Sequence, residues 1–229
     1  MKRILNRIAG YGMAFLAAGI LSKAGPVYAQ ESKYPVNLQA SIDVLDKNVF
    51  RGVTYSKKPV LQPNIRLTCR DFLANIWLNT NIIEQKLTEV DYTLGYNKKP
   101  GKRANLSLGY TLYTFPNPFG DNTQEFYLGG GLEGLLNPNF TLFGDFDQGK
   151  GFYGELSLGH EFKSGPNVNA KLHYNWSYFR EGSGLSHGIV VFSKSFPFKG
   201  VTLSPRITLA KSLSNDFKNE IFGGLNISF

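Results

Sequence analysis

The stretch 168-VNAKLHYNWSY-178 decides the fold of this chain. Its even positions are Val168, Ala170, Leu172, Tyr174, Trp176 and Tyr178, and its odd positions are Asn169, Lys171, His173, Asn175 and Ser177. Successive side chains of a strand point to opposite faces, so this segment has one apolar and one polar face. The last segment repeats the pattern, with Ile221, Gly223, Leu225, Ile227 and Phe229 set against Glu220, Phe222, Gly224, Asn226 and Ser228.

Working outward, the same period-two alternation marks segments near 36–46, 60–70, 72–82, 87–97, 103–113, 124–135, 139–146, 151–163, 167–179, 187–196, 201–212 and 219–229. Alternation is weakest over 187–196, which leaves that segment's inward face open. Clusters of Gly, Pro, Asn, Asp and Lys separate the segments. The connections at 70–71, 97–103, 137–138, 164–167 and 197–200 are mostly tight and polar, whereas 47–59 and 114–123 are long. An even number of strands with short turns on one side and longer loops on the other predicts an all-β protein. Its form is a single transmembrane antiparallel up-and-down β-barrel of about 12 strands, with both termini on the short-turn side. Closing such a ring gives a backbone diameter of roughly 24 Å, and side chains narrow the bore to roughly 10 Å or less. Trp77, Tyr113, Tyr127 and Tyr153, and the 47–59 loop if it folds inward, set how narrow.

The soluble alternative, a β-sandwich or lipocalin-like barrel, also alternates but turns its apolar residues inward. Two features oppose it. By parity, aromatic residues gather near strand ends on the apolar face, with Phe72, Tyr96, Phe140, Phe162 and Phe229 at one level and Phe126, Phe146, Phe152 and Tyr178 at the other. This resembles two interfacial girdles. The opposite face carries Asn37, Gln39, Ser41, Asp43, Asn75, Asn79, Glu89, Asp91 and Thr93, too many polar groups for a dry core.

The 229 residues are 42% hydrophobic and 18% charged, with 25 Gly and one Cys, which excludes a disordered tail, a coiled coil and a disulfide scaffold. Residues 1–29 read as a cleaved secretory signal: Lys2, Arg3 and Arg7, an uncharged run from Ile8 to Ser22, and Val27-Tyr28-Ala29 before the cut. The barrel then occupies 30–229. Losing the four bases of the leader halves the formal charge from +8 to +4, so a nucleic-acid partner is not expected. Cys69 alone makes no internal disulfide. After the leader no apolar run reaches the length of a membrane helix.

Residues within 45–160 are similar to the TorF-like family of small outer-membrane porins. The likeness is carried by Val49-Phe50-Arg51-Gly52-Val53-Thr54-Tyr55-Ser56, Leu61-Gln62-Pro63, Ala74 to Asn79, Glu89-Val90-Asp91 with Gly95-Tyr96, and Tyr113-Thr114-Phe115-Pro116 before Glu125-Phe126-Tyr127-Leu128-Gly129. The chain departs from the family at Thr68 to Leu73, where a His and a Gly-Phe-Tyr element usually precede the Trp. The resemblance implies a bacterial outer-membrane barrel with channel activity and names no solute.

Parity places Arg66, Lys171 and Arg206 on one arc of the lumen. Asp91, Glu125, Asp145 and Glu155, with Glu89, Glu133 and Glu161, fall on the other. Opposed charges across a narrow water-filled bore would filter ions and small polar solutes, and the excess of acids predicts weak cation preference. The plainer reading is that these charges pair with neighbours and plug the bore. Arg51 is read either as a constriction charge or as a residue pinning its loop, with Gly52 supplying an unusual backbone angle. The partners expected are outer-membrane lipid, the outer-membrane assembly machinery through the terminal strand ending at Phe229, and small solutes or ions. The alternative function is a closed barrel that binds or adheres through loops 47–59, 114–123 and 179–186. A barrel protease using Asp145, Asp147 and His173, or a lipase using His160 or Ser186-His187, is remote. Three scattered His and one Cys have no metal-ligand spacing, and Gly129-Gly130-Gly131 falls mid-strand, so no metal or cofactor is expected.

Overall fold

The computed structural model describes residues 35–116, 120–179, 181–215 and 217–229, and the expected leader lies outside them. In chain order the strands among these residues are β1 (Val36–Leu45), β2 (Asn48–Phe50), β3 (Val53–Ser56), β4 (Val60–Cys69), β5 (Phe72–Asn81), β6 (Lys86–Lys98), β7 (Ala104–Thr114) and β8 (Thr123–Leu132). They continue as β9 (Asn139–Asp145), β10 (Gly151–Glu161), β11 (Asn167–Trp176), β12 (Ser183–Ser193), β13 (Phe196–Phe198), β14 (Val201–Ser212) and β15 (Glu220–Ser228).

All but β2, β3 and β13 form the wall. Each wall strand pairs antiparallel with the next, and β15 returns to β1 from Ser41↔Ser228 to Leu45↔Gly224, which closes a twelve-stranded ring among the described residues. Closure leaves no unpaired sheet edge, the condition for a sheet to cross lipid.

The ring turns its apolar parity outward. Leu94 and Leu128 are 64% and 61% exposed on the outer surface, among many aliphatic side chains from every quarter of the wall. Inward positions such as Gln62, Asn79 and Thr111 are buried. That is the reverse of a soluble barrel, whose core is apolar, and it is the arrangement that lipid stabilises. Near the short-turn end, exposed Phe72 packs edge-on against Tyr96 at 5.2 Å, and Phe140, Phe162 and Phe229 are also exposed. Near the loop end Phe126 stacks on Phe146 at 5.2 Å.

Several boundaries depart from the sequence reading. β8, β10 and β11 end at Leu132, Glu161 and Trp176, earlier than expected. Tyr178 is consequently not a girdle residue. Ser177 takes a positive φ of 56°, the chain turns in, and the Tyr178 ring is buried. β12 starts at Ser183, and its register against β11 shifts between His173 and Tyr174, with Ser186 as the extra residue. This bulge lets the consecutive residues Ser186 and His187 both be buried, which is why alternation is blurred there. The connection expected at 197–200 is shorter, because β13 pairs with β14 up to Phe198↔Val201 and leaves 199–200 as the turn. The long loop after β1 contains the β2–β3 hairpin.

Candidate functional site

That hairpin occupies the bore. At its tip Arg51 and Gly52 have φ of 48° and 80°. Gly52 is required twice over, because a Cβ there would also lie 2.8 Å from His187 Nδ1 and 2.9 Å from the Phe217 ring. At one side Lys47 Nζ and Thr54 Oγ1 each donate to Glu220 at 2.8 Å, tying the hairpin to the start of β15. At the other, Arg51 reaches the opposite wall. Its Nη1 and Nη2 bind the two Glu125 carboxylate oxygens at 2.8 and 2.9 Å, and Nη1 also donates to the Tyr178 hydroxyl. Tyr113 and Tyr178 hydroxyls donate to the same carboxylate at 2.5 and 3.2 Å.

The guanidinium carbon lies 4.3–4.8 Å from the ring centres of Phe50, Phe143, Tyr153 and Tyr178. A bidentate ion pair among aromatic faces holds the loop firmly, because geometry and cation–π attraction act together. Side-chain exposure of 10% for Arg51 and 1% for Glu125 means that removing either strands a charge away from water.

Beneath this pair lies a second buried group. His173 Nδ1 and His187 Nε2 are 2.6 Å apart, the Tyr153 hydroxyl is 2.7 Å from the same His173 nitrogen, and Glu155 Oε2 is 3.2 Å from His173 Nε2. Asn175 accepts from the Tyr178 amide and donates to its carbonyl, both at 2.9 Å, which fixes the inward turn. The arc from β8 to β12 is thus largely filled at the loop end, with a cavity of only about 200 Å³ left beside Arg51, Tyr153 and Tyr178.

The other arc is hollow. An outer cavity of about 630 Å³ opens between the loops, with Asn48, Asn79, Asn81 and Thr88 in its lining and Tyr55, Phe115 and Phe179 also on it. An inner cavity of about 430 Å³ lies along β4 to β6, lined among others by Gln62, Arg66, Asp91 and Arg206. Asn48 and Glu89 line both, so the two cavities lie next to each other there. Gln62 Nε2 donates to Asn48 and Asn79 at 3.3 and 3.0 Å, which stiffens the junction. At the rim, the Lys58 ammonium 2.7 Å away holds the Glu84 carboxyl below the usual carboxylate range.

The residues picked from sequence separate into three groups. Arg66, Arg206 and Asp91 line the inner cavity; Arg66 Nε lies 3.4 Å from Asn75 Oδ1, and Arg206 lies 3.3 Å from Asp43. Asp91 Oδ1 is buried with no hydrogen-bond partner among the described residues. Lys171 and Glu155 do not oppose each other across the bore; they pair side by side at 2.9 Å on adjacent strands, because β10 and β11 neighbour one another. Glu125 and Asp145 face no open lumen. Glu125 is sealed beneath Arg51, and Asp145 accepts from the Thr123 hydroxyl at 2.6 Å and from the amides of Asp147 and Gly149 at 2.9 and 2.8 Å, closing its own loop.

Glu133 sits in a turn, paired with Lys99, and Glu161 is an exposed strand end. Asp145 and His173 have separate sets of partners, so no protease pair forms. His187 is buried in the lumen, and His160 Nδ1 is bonded to the Leu135 carbonyl at 2.7 Å, so neither offers the lipid-face dyad of a lipase. Sequence reasoning missed the contacts of Tyr178, Phe143 and His187 with this hairpin. Parity puts Phe143 inward, yet nothing local says what it meets.

No protein-family model matches the chain, and no curated protein matches it. Among solved structures it is similar to OccAB3 of Acinetobacter baumannii, with 10% identity and a TM-score of 0.40, covering 87% of this chain and 65% of that one. A double mutant of OccD1 (OprD) shares 11% identity at a TM-score of 0.39 over 90% of this chain and 71% of its own. A double mutant of the Rh. blastica porin shares 10% identity at 0.39 over 85% and 99%.

Proposed function

We propose that the chain is a narrow passive channel of the bacterial outer membrane for ions or small polar solutes. The reading agrees with its resemblance to the TorF-like small porins. The observation that carries it is the pair of cavities inside the ring, one between the loops and one along β4 to β6, that share Asn48 and Glu89 in their linings. A barrel serving only as an anchor gains nothing from buried polar groups beside empty volume, since each polar side chain taken from water needs a partner. Bacterial lipid surrounds the apolar belt, and the strand ending at Phe229 engages the assembly machinery. Glu89 and Asp91 on the passage favour cations weakly.

Single-channel recording of the folded chain in a planar bilayer, with folding checked by heat-dependent gel mobility, tests the proposal. Small reproducible steps reversing on the cation-selective side are expected. Folded protein without current overturns it and favours a second reading, a closed barrel acting through its loops, for which the Arg51–Glu125 plug is the supporting observation.

A further inference from the structure

The outer cavity is lined by two kinds of surface. Tyr55, Phe115 and Phe179 come from three separate loop segments, and Tyr55 is 61% exposed. Opposite them lies a floor of neutral amides and hydroxyls held by mutual bonds. Asn79 Nδ2 donates to Thr88 Oγ1 at 2.7 Å, Asn81 Nδ2 to Ser56 Oγ at 3.4 Å, and Gln62 holds Asn48 and Asn79. Each carboxamide has two N–H groups and two lone pairs, so these bonds fix the floor while leaving capacity for a further partner. The lining charges nearly cancel. Lys58 is taken up by Glu84 at 2.7 Å, and the lining's other charges are Lys57, Glu89 and Asp121.

Three ligand chemistries can be weighed against this lining. An anion meets a lining that carries two lysines and three acids, one of the lysines already paired. An apolar solute covers the amide floor without offering it hydrogen bonds, which costs free energy. A ring with C–H faces and hydroxyl edges meets both surfaces at once, its faces on the aromatic plates and its hydroxyls on the amides. The volume of about 630 Å³ lies within the roughly 300–1,000 Å³ of small-molecule sites.

We infer that the outer cavity is an entry station for a neutral polyhydroxylated solute of mono- to disaccharide size. The inference rests on the channel reading and names its solute class. Binding is weak, because a station on a conducting path must release what it takes.

The test uses maltose, with gluconate and glucosamine as charged comparators, on the folded chain in a detergent free of sugar headgroups. Saturation-transfer NMR reads binding whether or not the barrel conducts, and bilayer recording reads blockage of the current. Maltose is expected to receive saturation more strongly than either charged sugar and to block the current. Tyr55→Ala, largely exposed and so not needed for folding, weakens binding by about 2- to 10-fold through the loss of one ring face; Phe179→Leu acts in the same direction. Absence of maltose saturation, a preference for gluconate or glucosamine, or identical binding by wild type and Tyr55→Ala overturns the station. Current without maltose binding leaves the channel standing and removes the station; maltose binding without current removes the channel and with it the entry role, and leaves a sugar-binding cavity on a closed barrel.

Discussion

The two arcs of the lumen obey the same inward parity and have opposite characters. From β8 to β12 the inward side chains and the hairpin tip pack into a mostly filled cluster around Arg51 and Glu125. From β4 to β6 the inward side chains are amides, Arg66, Glu89 and Asp91 around open volume. Polarity alone does not make a lumen wet. The packed arc holds Glu125, Asp145, His173, His187 and Asn175, as polar a set as the hollow arc, yet they are buried because partners arrive from the hairpin and from the inward turn at Tyr178.

Breaking the packed arc has the largest expected effect. Arg51→Ala leaves Glu125 buried without its cation and destabilises the folded barrel by about 3 kcal/mol or more. Denaturant unfolding in lipid checks this, and the freed hairpin raises single-channel conductance. Arg51→Met with Glu125→Gln recovers much of the stability but keeps the raised conductance, because the buried charge has gone and the tether with it. Gly52→Ala comes next. The positive φ and the 2.8 Å approach to His187 together cost about 1–3 kcal/mol, read by the same unfolding midpoint.

On the hollow arc the expected result is inverted. Glu89→Gln changes stability by no more than about 0.5 kcal/mol while moving the reversal potential toward zero selectivity, and Asp91→Asn raises stability by removing a buried carboxylate oxygen that has no hydrogen-bond partner among the described residues. A large loss of stability from either would mean that this arc too is a packed structure. The smallest effect lies outside the lumen. The Lys98 ammonium at 2.9 Å, with the Tyr96 hydroxyl at 3.2 Å, holds the Asp71 carboxyl below the usual carboxylate range. Its contribution is therefore full above about pH 4 and fades as pH falls through the lowered value. Asp71→Asn flattens that acid limb slightly, as befits an exposed pair.

How far the sequence was legible differs between these arcs. The alternation of Val168–Trp176 and Ile221–Phe229 showed which face meets lipid, and the polar runs at β1, β5 and β6 showed that the interior is not a dry core. Arg51 was singled out by its Phe-Arg-Gly setting, but its partner lies 74 residues away. The sequence also put Lys171 and Glu155 on different arcs, whereas pairing of β10 with β11 makes them neighbours. Tyr178 and Ser186 escaped because a positive φ and a bulge each interrupt the alternation on which parity depends.

Alternation along most strands, with aromatic residues at two levels of the apolar face and too many polar groups on the other for a dry core, was therefore enough to predict a barrel with an apolar outside, since side-chain direction with period two is a local property of extended backbone. Which inward groups meet, and whether they fill the bore or leave it open, was decided only in the tertiary structure. Ring closure sets distances across the lumen, and the path of one loop through it supplies the partners, neither of which any short stretch of chain encodes.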